Sequence, residues 1–341
     1  MTGDLRHSAR VPIDPPELRL LGDPPQSLIQ TVIELAGALD RSPPPKQLDR
    51  NVIIGSWNLR EFGRVTQRWT ARDGDRPTRN VGDVWCIAEI VSRFDVIALQ
   101  EVQNDTTALE LLMDILGRDW GLLVTDVAAG DAGGSERLAF VFDLRRVRLT
   151  GLAGEVVLSP EDLTARIGGL ERQFARTPYL VSFTSARRPF TLATVHAIFG
   201  DSIAERTKEA TALAKLLARA MKDPTPGTPD NFRSNLIALG DFNISATGDE
   251  TYRALVDNGL QPDPALAGLP RTTGERPGRT TAYDQIAWFT GPREGALTLG
   301  RIDSGTFAWE EHLTPVGPGD PTFRISDHFP IWLELGVARR A

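Results

Sequence analysis

The chain has four histidines, His7, His196, His312 and His328, and two of them stand where a short apolar run begins or ends. Leu192-Ala193-Thr194-Val195 ends at His196, and Ser326-Asp327-His328 opens the last apolar stretch. Acids and amides close other runs in the same way. Val52 to Trp57 leads into Asn58, Val96 to Gln100 into Glu101, and Leu236 to Gly240 into Asp241, with Asn243 just beyond. Imidazoles exchange protons near neutral pH, and carboxylate and amide oxygens are the hard donors that Mg²⁺ or Mn²⁺ accepts. If these run ends share a sheet edge, Asn58, Glu101, Asp241, Asn243 and Asp327 form an oxygen cluster flanked by two rings. Phosphoester hydrolysis needs such a set: a deprotonated water, a cation against the non-bridging oxygens and a proton for the leaving alkoxide. No Walker-type glycine loop, no Gly-x-Ser-x-Gly elbow and no Cys/His zinc spacing competes for these residues.

The elements that must position them recur from Asn51 onward. Short apolar, β-branched runs predict eight strands: Val52 to Trp57, Val96 to Leu99, Leu138 to Phe142, Tyr179 to Phe183, Phe190 to Val195, Leu236 to Leu239, Gln285 to Phe289 and Phe329 to Leu335. Helical spacing falls between them, over Val81 to Arg93, Thr106 to Leu116 and Ser202 to Met221. No composition break or internal repeat divides residues 51–338. One α/β domain is therefore expected, with sheets packed inside and helices outside. Residues 1–50 hold 8 of the 24 prolines and read as a proline-rich N-terminal extension, a tether, with one short helix over Ser27 to Leu39 whose Leu28, Val32, Leu35 and Leu39 fall at helical spacing and should pack on the main body.

Composition narrows the setting. The chain has 341 residues, 41% of them hydrophobic, enough to bury a core and too many for a disordered protein. No apolar run reaches the ~18–20 residues that cross a bilayer, and the N-terminus lacks an apolar signal region. A single cysteine, Cys86, excludes an internal disulfide framework. Together these favour a reducing, cytoplasmic compartment. A net charge of −7 argues against nucleic-acid binding through a general basic coat. Two local arginine stretches remain: Arg60, Arg64, Arg68, Arg72, Arg76 and Arg79, and Arg271, Arg276 and Arg279. The first has a spacing of four that would align guanidinium groups on one helix face near Trp69.

The motifs, in order, resemble those of the endonuclease/exonuclease/phosphatase superfamily, and within it the pancreatic-type deoxyribonucleases. Gly55-Ser56-Trp57-Asn58-Leu59-Arg60 is similar to the first motif, Leu99-Gln100-Glu101-Val102 to the second, Gly240-Asp241-Phe242-Asn243 to the third and Ser326-Asp327-His328 to the last. The resemblance covers about residues 51–337. It implies a four-layered α/β sandwich of two packed mixed β-sheets with helices on the outer faces. It also implies a metal-dependent nuclease that uses Mg²⁺ or Mn²⁺ on a nucleic acid substrate, DNA in the first place. Glu101 would be the metal ligand with Asn58 and Asp327 beside it, and Asp241 and Asn243 would position the attacking water or a second cation.

Three further segments, Ser135 to Phe142, Ala175-Arg176-Thr177-Pro178-Tyr179 and Ala282-Tyr283-Asp284-Gln285-Ile286, resemble the deoxyribonuclease branch. They imply that Glu136 orients His196, that Arg176 touches the scissile phosphate and that Asp284 pairs with His328. Two carboxylate–imidazole dyads would then share the roles of general acid and general base. The chain departs from the branch where an arginine and a tyrosine enter the DNA minor groove: these positions are Gln103 and Gly134 here. Two alternatives stay open, namely a phosphatase or phospholipase of the same superfamily acting on inositol phosphates or sphingolipids, and a catalytically silent binding module.

Overall fold

The structure, a computed structural model, describes residues 11, 16–126, 135–200, 202–222, 235–276, 280–291 and 295–338. Most of residues 1–15, together with Gly134 and Arg279, lie outside these. A strand covered on both faces has no solvent side to mark with polar residues, so its sequence is a nearly continuous apolar run. The eight runs read from the sequence are such strands: β1 (Asn51–Phe62), β2 (Val96–Val102), β4 (Arg137–Asp143), β6 (Tyr179–Ser185), β7 (Arg188–His196), β8 (Leu236–Ile244), β10 (Ala282–Phe289) and β12 (Ile331–Gly336). Four more complete the sheets: β3 (Trp120–Val124), β5 (Arg148–Glu155), β9 (Leu260–Pro262) and β11 (Gly300–Thr306). One six-stranded sheet has the order β11-β12-β1-β2-β4-β3 and the other β5-β6-β7-β8-β10-β9. Both are mixed, because β1 runs parallel to β2 and β7 parallel to β8 while the other pairings are antiparallel.

The inner faces meet in one apolar layer, where Ile54, Ala98 and Phe140 of the first sheet pack with Val181, Phe183, Leu192 and Ile286 of the second. Helices cover the outer faces. α1 (Gln26–Leu39), α2 (Val81–Val91) and α3 (Thr107–Leu116) lie on the first sheet, while α5 (Ile203–Lys222) and α6 (Glu250–Asp257) lie on the second; α4 (Pro160–Thr164) and α7 (Pro321–Arg324) are short turns of helix. The result is the expected four-layered sandwich. In α1, Leu28, Val32, Leu35 and Leu39 are buried in the same cluster as Trp57 and Trp85, so this helix packs on the main body and shares its core. No helix among the described residues is long and apolar enough to cross a membrane.

The first arginine stretch is not a helix. β1 continues to Phe62, and residues 63–80 form turns tied by a bridge between Thr66 and Asn80. Gly63, Gly74 and Pro77 interrupt the run, which accounts for the lost period. Arg79 is buried and donates to the carbonyls of Leu59, Arg60, Glu61, Arg324 and Ile325, so it staples a loop and faces no solvent. Trp69 is likewise buried, 5.7 Å from the Trp85 ring. In the second stretch Arg271 is 1% exposed and donates to the carbonyls of Thr281 and Leu266.

Candidate active site

Strand register brings the polar run ends together. His196 and Asp241 are partners across β7 and β8, Asp241 and Asp284 across β8 and β10, and Asn58 pairs with Gln100 across β1 and β2. The side chains then converge through local irregularities. β2 shifts register between Leu99 and Val102, and within that bulge Glu101 takes φ +59°. Asn243 has φ +51°. Bulges and left-handed residues of this kind re-aim side chains out of the regular ladder.

Asp241 lies at the middle. Its Oδ2 is 3.8 Å from His196 Nε2 and 3.9 Å from His328 Nε2, so both rings face one carboxylate. Each ring has a second carboxylate behind it. His328 Nδ1 is 2.7 Å from Asp284 Oδ2, and His196 Nδ1 is 3.0 Å from Glu136 Oε2, although the latter approach lies off the hydrogen-bonding direction. Glu136 also receives two bonds from Arg176, at 2.6 and 3.0 Å. Asn58 Nδ2 donates to Glu101 Oε1 at 2.8 Å and to Asp241 Oδ2 at 3.2 Å, and its Oδ1 accepts from the Arg60 amide. Asn243 donates from its backbone to Asp241 Oδ1 and from its side chain to Ala197 O. Asp327 Oδ2 sits 3.4 Å from Arg60 Nη1. All ten residues singled out in the sequence therefore gather in one region, and Glu101, Arg176, His196, Asp241, Asn243, Asp327 and His328 line a pocket of about 590 Å³.

Burial opposes a proton on the His328 ring, but the Asp284 charge and hydrogen bond, with Asp241 and Asp327 beyond, outweigh it and carry the ring up to about 10. Burial pushes Asp284 up as well, against the pull of His328. The pair accordingly keeps one shared proton through neutral pH. At Glu136 burial favours the neutral acid, yet the close His196 ring and the hydrogen bonds and charge of Arg176 prevail and hold it below the usual carboxylate range.

Three supporting residues stand outside the candidate set, although Gln100 and Ser326 lie within its motifs. Ser326 Oγ donates to Asn58 O and accepts from the His328 amide, which ties the last motif to the first. Buried Gln100 spans the two sheets by donating to Ser56 and Thr194. Glu209 of α5 accepts from the amides of Ala175 and Ile198, next to Arg176 and just past His196, and burial raises its carboxyl. An isolated acid on an amphipathic helix reads as solvated, and only its neighbours in space reveal the brace.

The donor set fits a divalent cation bound largely by water. Glu101, Asp241 and Asp327 bring hard oxygens to one pocket, held by the Asn58 amide and by Arg60. Among the described residues no three His, Cys, Asp or Glu side chains come close enough to form an all-protein cage. Mg²⁺ is ordinarily held by one or two carboxylates, waters and substrate phosphate, which this arrangement permits. In this orientation Asn58 faces the carboxylates with its nitrogen, so its visible part is to fix Glu101.

The family model described as "Endonuclease/Exonuclease/phosphatase family" matches residues 55–328, most of the chain. A protein named "Deoxyribonuclease" from Thioalkalivibrio sp. (strain K90mix) is 27% identical over 82% of this chain and 70% of its own length. Solved structures share the fold. An endonuclease/exonuclease/phosphatase family protein from Bacteroides thetaiotaomicron superposes with a TM-score of 0.53 at 19% identity, over 84% of this chain and 95% of the other. The mannosyl-6-phosphatase Bt3783 of Bacteroides thetaiotaomicron VPI-5482 gives 0.51 at 18% over 83% and 99%. D. rerio TDP2 complexed with a single strand DNA product gives 0.51 at 14% over 84% and 98%. The chain belongs to the endonuclease/exonuclease/phosphatase family and is a phosphoester hydrolase.

Proposed function

We propose that this protein is a divalent-metal-dependent phosphodiesterase that cleaves DNA by in-line attack of an activated water. The observation that carries the reading is Asp241 Oδ2 standing 3.8 and 3.9 Å from two imidazole nitrogens, each ring with its own carboxylate behind it. A phosphodiester seated there would have a proton acceptor for the water and a proton donor for the departing alkoxide within one pocket. Support for DNA comes from the relative named a deoxyribonuclease.

Each residue has a part in this reading. Glu101 would hold the cation, with Asp327 alongside and Asn58 fixing the carboxylate. Bound there, Mg²⁺ or Mn²⁺ would offset charge on the non-bridging oxygens. Asp241 orients the water, since it faces both rings, together with Asn243, whose backbone amide holds the Asp241 carboxylate. Arg176 meets the phosphate from the side where Glu136 fixes its guanidinium plane, and a bidentate carboxylate leaves the far edge of the fork for an anion. His196 with Glu136 and His328 with Asp284 exchange the two protons.

The deciding experiment compares supercoiled plasmid, single-stranded DNA, RNA and phospholipid as substrates, with EDTA and with added Mg²⁺ or Mn²⁺. Cleavage of DNA that EDTA abolishes and metal restores is the expected outcome, and His196→Ala and His328→Ala should each lower kcat by about 10² to 10⁴. Near-wild-type turnover in both variants, or turnover of phospholipid alone, would defeat the proposal.

A further inference from the structure

Among the described residues the phenylalanine, tyrosine and tryptophan rings are mostly buried, and only two are exposed, Phe199 at 63% and Phe323 at 40%. Both flank the site. Phe199 lies just past His196 at the end of β7 and lines the catalytic pocket with Arg172 and Arg176. Phe323, in α7 shortly before Asp327, lines an adjoining groove of about 530 Å³ with Arg64, Arg76 and Gln103. Arg60 links the two spaces, because its guanidinium stacks 3.7 Å from the Phe323 ring centre and reaches Asp327 on the pocket wall.

Neither ring stands on a loose segment. The stretch after His196 is pinned by Asn243 donating to Ala197 O, by the Ile198 amide donating to Glu209 and by Arg206 donating to Phe199 O. α7 is capped by Asp320, which accepts from Thr322. Each ring also carries a guanidinium, Arg206 at 5.7 Å from Phe199 and Arg60 at Phe323. An apolar ring held rigidly in water beside a phosphate pocket gains nothing for the fold, but it offers a flat face to a nucleobase.

We infer that Phe199 and Phe323 are stacking platforms for unpaired bases near the scissile phosphate, so the preferred substrate is single-stranded or locally unpaired DNA. This rests on the phosphodiesterase reading above. A paired base keeps its faces inside the duplex stack, and only an unpaired one can present a face to these rings. Gln103, where the branch places a minor-groove arginine, is consistent with a site that does not read duplex. The two rings line separate hollows divided by charged side chains, whereas insertion into a lipid surface needs one continuous apolar patch.

The test measures kcat/KM on two single-stranded oligodeoxynucleotides of equal length, one with all its bases and one with abasic residues on both sides of a central phosphodiester. Wild-type enzyme should prefer the base-bearing strand, and Phe199→Ala or Phe323→Ala should each shrink that preference by roughly tenfold, the usual weight of one base–aromatic stack. Phe199→Trp and Phe323→Trp should retain it. Because both rings are exposed, melting temperatures should hold, which separates lost stacking from lost fold. An unchanged preference in the alanine variants, or a wild-type preference for duplex, overturns this inference while leaving the phosphodiesterase reading in place. Loss of binding to phosphatidylcholine vesicles with intact strand cleavage would also overturn it, and would mark a lipid surface. Failure of wild-type enzyme with Mg²⁺ or Mn²⁺ to cleave either strand or a duplex overturns both.

Discussion

Asp284 is fully buried, and only one of its two oxygens has a hydrogen-bond partner, the His328 ring. A buried acid left half satisfied is costly unless its charge does something, and here it fixes the tautomer of His328 and supports its proton. Asp284→Asn keeps the shape and removes the charge. The expected result is a fall in kcat of about 10² to 10⁴ with KM little changed, measured beside a melting curve that stays near wild type. A parallel rise in KM would instead assign Asp284 to substrate binding. Glu209 makes the complementary case. Glu209→Gln turns one acceptor into a donor facing a backbone N–H, so it should cost about 1 to 3 kcal/mol in stability by denaturant melt, and it should lower kcat because Arg176 and His196 lose their shared brace. Glu101 and Asp241 were legible as chemistry because each follows an apolar run, and Asp327 because it opens one, whereas Glu136 and Asp284 were legible only through the family resemblance. Glu209 was not, and the parts of Gln100 and Ser326 within their motifs were not, because their importance is a matter of which groups they meet after folding.

At the level of elements, the sequence revealed strands according to their place in the sheet. The four it did not reveal, β3, β5, β9 and β11, are the four edges of the two sheets. An edge strand meets water along one side and, in β5 and β11, alternates or exposes most of its residues, so no apolar run marks it. The arginine run failed for a different reason: spacing of four is satisfied by a helix and equally by a loop whose cations find separate partners, and only Gly63, Gly74 and Pro77 argue for the loop. Positioning of the site also depends on one backbone contact. Gly240 precedes Asp241 at φ +141°, and a Cβ there would sit 2.0 Å from the Val195 carbonyl oxygen of the parallel neighbour. Neither backbone can yield without breaking the β7–β8 ladder that sets His196 against Asp241. Gly240→Ala should therefore cost more than about 3 kcal/mol, reading as insoluble or unfolded protein by circular dichroism. A folded, active Gly240→Ala enzyme would show that the two strands can part without moving the site. Leu35→Ala in α1 should cost about 2 to 5 kcal/mol in a urea titration, since the side chain is wholly buried in the first-sheet core. A cost near zero would show that α1 is not part of the domain core.

For the whole molecule, a net charge of −7 and a substrate that is a polyanion are reconciled only if the cations are few and local. Of the arginines that looked available in the sequence, Arg79 and Arg271 are buried structural cations. Those lining the pocket and the adjoining groove without being buried are Arg64, Arg76, Arg172 and Arg176. Three or four phosphate contacts on a single strand, at about 0.7 each, imply that log K for an oligonucleotide falls with log salt at a slope of about −2 to −3. Stacking on a ring releases no counterions. Fluorescence anisotropy across a salt series, in Ca²⁺ to hold turnover down, should then separate the two kinds of contact. Arg76→Ala should flatten the slope by about 0.7, whereas Phe199→Ala and Phe323→Ala should lower affinity at every salt concentration and leave the slope unchanged. A wild-type slope steeper than about −5 would require a broad basic surface, which the charge distribution of this chain does not provide.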